Sequence, residues 1–328
     1  MRIAIVYNEP LPSRYDSIGE TSAVLGVLNA VKAANRALSE LGHYVTYIPL
    51  RPPLDESIAN LISLDSDLVF NLFEGFCGYP ETEASLPEIL TELGVPFTGC
   101  QDSLIKLALD KAKMKVILRS HGIPTPDFQL LTPRKLPKFR LNYPCIVKPR
   151  SEDASHGITE ASVVNDFTSL AKQVAIVSEC YCGQALVEEL VHGREFNATF
   201  LGDGYGIILP VSEIVYSLPH DKPKILTFKD KWDIDTEDSS PINVVCPAEI
   251  KETENKSIHK MAHLIFQLLG CHGYSRVDMR MDEHGRLFFL EVNPNPDISP
   301  DSGAARQAKA AGMNYTQFID KIIKLALN

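Results

Sequence analysis

Residues 273–302 read GYSRVDMRMDEHGRLFFLEVNPNPDISPDS, and the rest of the chain is interpreted outward from them. Two strand-like runs, Tyr274 to Met281 and Leu287 to Asn293, flank the turn signal Glu283-His284-Gly285-Arg286. A two-residue loop at His284-Gly285 sets Asp278 opposite Glu291 and Arg276 opposite Asn293. Alternate residues of a strand point the same way, so all four share one face. Carboxylates directly across an antiparallel pair repel at a β-carbon separation of roughly 4.5–5.5 Å, so a positive charge is expected between them. Asp, Glu and Asn offer hard oxygen atoms suited to magnesium or manganese, and Arg276 adds a planar fork for a phosphate or another oxyanion. A charged, solvent-facing edge hairpin is the simpler reading of an isolated Asp/Glu pair. The apolar Phe288, Phe289 and Leu290 oppose it. The register carries the argument, because a slip of one residue would put the carboxylates on opposite faces.

The chain around this stretch has 328 residues, enough for two or three domains. At 45% hydrophobic and 23% charged it has an ordinary globular composition. A net charge of -10 argues against a nucleic-acid partner, which would demand clustered Lys and Arg, but leaves room for ATP. The start, MRIAIVYNEP, has no apolar leader core, and no run approaches the roughly 18 apolar residues of a membrane span; a cytoplasmic protein without membrane contact is expected. Seven scattered cysteines without a C-x-x-C pair, Cys180 and Cys182 being the closest two, indicate neither a disulfide framework nor a zinc site.

In chain order, the apolar run Arg2 to Tyr7, a helical stripe from Glu20 to Leu41 stopped by Gly42, and strands at Tyr44 to Leu50 and Asp67 to Phe73 predict a small doubly wound parallel sheet. Its first turn lacks G-x-G-x-x-G, which excludes a dinucleotide-binding unit. Glu20 and the run Asn71-Leu72-Phe73-Glu74-Gly75 then face the crevice at the strand ends. A helix-dipole carboxylate is an equal alternative for Glu20. Ser103 to Ser120 reads as one helix whose Lys106, Lys111, Lys113 and Lys115 form a solvated basic face. A proline-rich connector, Pro124 to Pro137, precedes a strand at Tyr143 to Pro149. Lys148 lies among its apolar residues, as a cationic post beneath the small polar loop 151–157. Beyond it come a helix at Phe167 to Ser178, a strand at Gln184 to Leu190, further strands at Glu195 to Leu201 and Gly206 to Val211, a charged loop at Thr227 to Asp235 carrying Trp232, and helices at Ile250 to Leu269 and Tyr315 to Leu327.

The ordered set DKAKMK at 110–115, IVKP at 146–149, VEEL at 187–190, GREF at 193–196, SRVDM at 275–279 and LEVNPNP at 290–296 resembles the ATP-grasp ligases, in particular their D-alanine–D-alanine ligase branch. The resemblance spans the chain from first strand to last helix. It implies an α/β protein with three domains: an N-terminal sheet domain over residues 1–102, a central domain over 103–186 and a C-terminal domain over 187–328, the last two gripping ATP. By position, Lys111 and Lys148 would contact ATP phosphates, Glu188, Glu189 and Leu190 would form the hinge against adenine, and Glu195 would accept from the ribose. Asp278, Glu291 and Asn293 would hold two magnesium ions, or manganese. Arg276, Glu20, Lys231 and Ser155 would make up the catalytic set, and Asp297, Ser302 and Trp232 would meet the substrate. Such enzymes phosphorylate a carboxylate and pass the acyl phosphate to an amine. Small amino acids or peptides are the implied partners, a homodimer the implied assembly, and peptidoglycan synthesis the implied setting.

The sequence departs from that family where substrate is received. Asn71 to Gly75 replaces a His-Gly run, and Ala154 and Trp232 stand where a serine and a tyrosine are expected. Asp297 replaces a glycine, and Glu188-Glu189 replaces a Glu-Lys hinge. A changed acceptor pocket for other amino acids or peptides is therefore the nearest alternative to D-alanyl-D-alanine synthesis. A nucleotide-binding module without ligase activity is the alternative from another class.

Overall fold

The computed structural model describes residues 1–54, 65–181, 183–203, 206–232 and 241–327, without the side chains of 23–25. The predictions for Val24, Cys182 and residues 233–235 lie outside the described residues. In the N-terminal unit, β1 (Arg2–Asn8), α1 (Ser22–Glu40), β2 (Tyr44–Leu50), β3 (Leu68–Leu72) and α2 (Ser85–Glu92) build a parallel sheet of order β2-β1-β3. The inner residues of β1 are buried one after another, as in a parallel strand covered on both faces. One face packs with α2; the other shares a core with α1 and with C-terminal residues such as Tyr274, Ile298, Phe318 and Ile322.

Two helices, α3 (Asp102–Ala108) and α4 (Lys111–Ser120), replace the single helix expected over 103–120. The Asp110 side chain accepts from the Lys113 N–H at 3.0 Å, an N-cap that starts a new helix where the hydrophobic periodicity runs on. The next lobe holds β4 (Phe128–Leu131), β5 (Cys145–Pro149), β6 (Val163–Val164), α5 (Phe167–Cys180) and β7 (Ala185–Glu189), in an antiparallel sheet of order β4-β7-β5-β6. The third sheet runs β11 (Ile242–Val245), β10 (Ser212–Tyr216), β8 (Gly193–Asp203), β12 (His272–Asp282) and β13 (Leu287–Asn293), with β9 (Ile207–Ile208) beside β8. Around it lie α6 (Phe228–Trp232), α7 (Glu252–Leu269), α8 (Gly303–Ala310) and α9 (Tyr315–Ala326).

These elements shift the expected domain spans. The division at 186/187 falls inside β7, and Leu104, Met114 and Leu118 of α3 and α4 join the core of the third sheet with Phe196, Phe266 and Phe289. The four-stranded sheet packs with α5 and with Leu136, Phe139 and Leu141 of the segment before β5. Of the strand expected over 206–211 only β9 at Ile207–Ile208 forms, the next strand, β10, beginning at Ser212, and the expected loop at Thr227 contains the short helix α6. Gly193 opens β8 at φ +142, where a Cβ would stand 2.0 Å from the Met281 carbonyl oxygen, so the lobes join through a residue that must be glycine. Among the described residues no helix is long and apolar enough to cross a membrane.

Candidate active site

The hairpin of β12 and β13 pairs Asp278 with Glu291 and Arg276 with Asn293, as the sequence predicts, but by another route. The loop is the three-residue Glu283-His284-Gly285: Asp282 N–H donates to the Arg286 carbonyl at 3.0 Å, and the Asp282 side chain accepts from the His284 and Arg286 N–H groups. That loop alone would misalign the site by one residue. A β-bulge between Asp278 and Met279 leaves Leu290 as the extra residue and restores the pairing at the carboxylates.

Arg276 grips Asp278 through two bonds, Nε to Oδ1 at 2.7 Å and Nη2 to Oδ2 at 2.8 Å, and Asn197 Nδ2 donates to the same carboxylate at 2.7 Å. Glu291 faces Lys111 Nζ at 3.5 Å. Desolvation opposes its ionisation, yet Lys111, Lys148, Arg276 and Lys231 together bring its carboxyl down to about 2. Burial works against the Arg276 cation, but Asp278 and Glu291 hold its pKa above the usual value. Lys231 is pushed down by desolvation and by Arg276. The hairpin therefore presents an ionised Glu291 beside Asp278, in the field of four cations. Asp278, Glu291 and Asn293 lie on one face as hard oxygen donors, and they fit a magnesium or manganese ion.

The lysines of α3 and α4 correct the expected solvated face. Lys106 and Lys113 are exposed, whereas Lys111 and Lys115 point inward. Their i,i+4 spacing is the signal that could have separated them. Lys115 is fully buried and lies 2.6 Å from Glu188; Lys148 lies 2.5 Å from the other oxygen of the same carboxylate. Burial, then the neighbouring Lys148, pulls Lys115 down to about 8 against the field of Glu188. Glu188 is held below its ordinary value by both lysines despite its own burial.

The segment expected as the hinge lies next to this pair. The Glu188 carboxylate is committed to Lys115 and Lys148, Glu189 accepts from Asn142 at 2.8 and 2.9 Å, and the Leu190 N–H donates to the Pro144 carbonyl at 2.9 Å. These bonds tie the segment to the central lobe, and Glu189 and Leu190 also line an open cavity with Val191, His192 and Phe288. Sequence reasoning also missed Arg280 and Tyr216. Both bond Glu195 at Oε2, at distances of 2.6 to 2.9 Å, and among the described residues none donates to Oε1.

Loop 151–157 is held against the N-terminal unit. Glu20 accepts from His156 Nδ1 at 2.7 Å, from the Gly157 N–H at 3.1 Å and from the Tyr181 hydroxyl at 2.9 Å. Tyr15 stacks on His156 with centroids 3.9 Å apart and donates to Glu152 at 2.6 Å, while Arg14 pairs with Glu152. Lys111 Nζ donates to the Glu152 carbonyl, tying the loop to the carboxylate cluster. Ala154 and Ser155 hold left-handed φ of 49° and 64°, and Trp232 Nε1 donates to the Ala154 carbonyl at 3.0 Å. Strained backbone of this kind persists only where its surroundings fix it. Glu20→Ala is expected to raise protease cleavage within the loop about tenfold, the loss of one charge-assisted anchor. An unchanged cleavage rate would show that the loop is held without it. Asp297 Oδ1 accepts from the N–H and hydroxyl of Ser299 at 2.8 and 2.6 Å. The Ser302 hydroxyl caps α8, accepting from the Ala305 N–H at 3.2 Å.

Residues 117–324 match the family model described as D-ala D-ala ligase C-terminus. An uncharacterised protein of Sinorhizobium fredii is 32% identical over 262 residues, 80% of this chain and 75% of that one. The D-alanine–D-alanine ligase of Methylacidiphilum infernorum is 30% identical over 299 residues, 91% of this chain and 90% of that enzyme. In fold, the crystal structure of the Bacillus anthracis D-alanine–D-alanine ligase aligns with a TM-score of 0.76 at 22% identity, covering 100% of this chain and 97% of that one. The ATP complex of that enzyme aligns at 0.74.

Proposed function

The chain belongs to the D-alanine–D-alanine ligase family of ATP-grasp enzymes, which makes it an ATP-dependent, ADP-forming ligase, and we propose that it joins the carboxylate of one amino-acid-like substrate to the amine of another through an acyl phosphate. A free carboxylate is a poor acyl donor, and transfer of the γ-phosphoryl group supplies a leaving group. One observation carries the reading: Arg276, Asp278, Glu291 and Asn293 share one face, opposite Lys111, with Lys148 and Lys231 in the same field. Fixed cations placed where charge builds up are how phosphoryl transfer is catalysed. Lys148 and Lys115 against Glu188 leave one net positive charge in an enclosed position, which an ATP phosphate would complete. Glu195 offers Oε1 to a ribose hydroxyl. Asp278, Glu291 and Asn293 would hold magnesium, which when bound neutralises phosphate charge. Loop 151–157, with Ser155 at its tip and Trp232 over it, shields the acyl phosphate from water.

With this reading go a cytoplasmic homodimer and, where the product is D-alanyl-D-alanine, peptidoglycan synthesis. The test is phosphate release from ATP and magnesium, screened over single and paired D- and L-amino acids, with mass spectrometry of the products. Phosphate release that depends on a substrate pair, together with a condensed product, is the expected result. ATP binding without stimulated release by any pair would leave a nucleotide-binding module.

A further inference from the structure

Arg280 of β12 is a cation only 5% exposed, and it is not among the four that bring Glu291 down. Its guanidinium reaches three segments. Nε and Nη2 donate to Glu195 Oε2 at 2.9 and 2.6 Å, Nη1 donates to the Val191 carbonyl at 3.0 Å, and Nη2 donates to the Lys224 carbonyl. Burial works against this cation, but Glu195 and Tyr216 hold its pKa above the usual value. The Glu195 carboxylate is thereby divided: Oε2 takes Arg280 and Tyr216, and no described residue donates to Oε1.

The bond to Lys224 is the informative one. Among the described residues it is the only hydrogen bond from the third sheet to residues 218–232, the stretch that ends in α6. The other bonds that leave this stretch run to the loop beginning at 151: Lys222 Nζ donates to Glu160 at 2.7 Å, the Phe228 N–H to the Ile158 carbonyl at 3.0 Å, and Trp232 Nε1 to the Ala154 carbonyl at 3.0 Å. The Phe228 and His156 rings meet with centroids 5.0 Å apart. The two covering segments are thus zipped to each other, and one guanidinium ties the pair to the sheet that carries Glu195. A planar fork transmits direction as well as charge, so Glu195, Val191 and Lys224 are held in one arrangement.

We propose that Arg280 is a positioning residue that couples the ribose of bound ATP to closure of the covering segments: Glu195 Oε1 takes a ribose hydroxyl, and Oε2 holds the guanidinium that fixes the Lys224 carbonyl. This rests on the ligase reading for where the ribose lies. A donor on Oε1 steadies the carboxylate, the carboxylate steadies the fork, and the fork steadies residues 222–232. The coupling is reciprocal, so closure over the acyl phosphate also tightens ATP. The first test is backbone amide exchange of the full wild-type chain, alone, with magnesium and a non-hydrolysable ATP analogue, and with the 2′,3′-dideoxy form of that analogue, both nucleotides at saturation. The second is turnover by Arg280→Lys, which keeps the charge opposite Glu195 and loses the fork.

The parent analogue should slow exchange over residues 222–232 by about tenfold, and the dideoxy form should leave it within about threefold of the free protein. Equal protection by the two nucleotides, or none by either, would overturn the proposal, whether or not the variant folds. In Arg280→Lys the KM for ATP should rise about tenfold, and the phosphate released per condensed product should rise at least about threefold as water reaches the acyl phosphate. A residue that only supported the fold would lower phosphate and product together. An unchanged ratio with an unchanged KM would therefore overturn the coupling. The two readings fail separately: ribose-dependent protection without ADP formation on any substrate pair removes the ligase reading and keeps this one, whereas substrate-driven turnover with ribose-independent exchange does the reverse.

Discussion

Glu291→Gln is expected to lower substrate-dependent phosphate release by about 10³-fold, because it removes a negative charge that acts where phosphate and metal charges meet. The substitution keeps the shape of the side chain and its place opposite Asp278. It removes the negative charge that lies in the field of Lys111, Lys148, Arg276 and Lys231. The effect on folding should be small by comparison, since the Glu291 side chain is 36% exposed and solvent screens its ion pair with Lys111. Phosphate release, magnesium titration and a thermal melt separate the two effects. Activity within about tenfold of wild type, at saturating magnesium, would refute the metal and phosphate assignment. With a carboxyl held down to about 2, Glu291 stays ionised from pH 5 to 9, so its contribution to metal affinity should not change across that window.

The sequence placed Asp278 against Glu291 because strand alternation and turn position constrain each other tightly. It could not supply the Asp282-centred three-residue loop or the bulge at Leu290, which offset one another. Both depend on side-chain bonds and sheet curvature that a periodicity does not encode. The parallel N-terminal sheet was legible for the opposite reason: β1 and β2 are continuous apolar or β-branched runs bounded by turns. Helices α3 and α4 show the limit of pattern reading. Four lysines within ten residues read as a wet surface, yet two of them line the interior, because a partner carboxylate 73 residues away in sequence, Glu188, neutralises Lys115. Ion pairs across lobes leave no local mark. The latch on loop 151–157 was hidden likewise, since Tyr15, Glu20, Glu152 and Tyr181 are scattered in sequence and meet only after two units have packed.

The buried triad makes the second large prediction. Glu188→Gln should destabilise the protein by about 3–5 kcal/mol, the cost of leaving buried cations without their counter-charge. Among the described residues Lys115 has no second carboxylate within ion-pair distance, and its Nζ would keep Thr125 Oγ1 at 3.1 Å and the Phe289 carbonyl at 3.4 Å. Lys148 is more open at 13% exposed and would tolerate the loss better. For Lys115→Met the balance differs: Glu188 keeps Lys148 at 2.5 Å, and the apolar replacement meets Phe289, whose ring already lies beneath the ammonium group at 5.4 Å. That variant should lose much less stability than Glu188→Gln, and the double variant Lys115→Met/Glu188→Gln should recover part of the loss. A denaturant titration followed by two probes, one in each lobe, measures all three. Equal destabilisation by the two single variants, with no recovery in the double, would mean that Glu188 acts through packing alone. If the order holds, ATP affinity should fall with Glu188→Gln even where the protein remains folded, because the position of Lys148 under the covering loop depends on the carboxylate that it shares with Lys115.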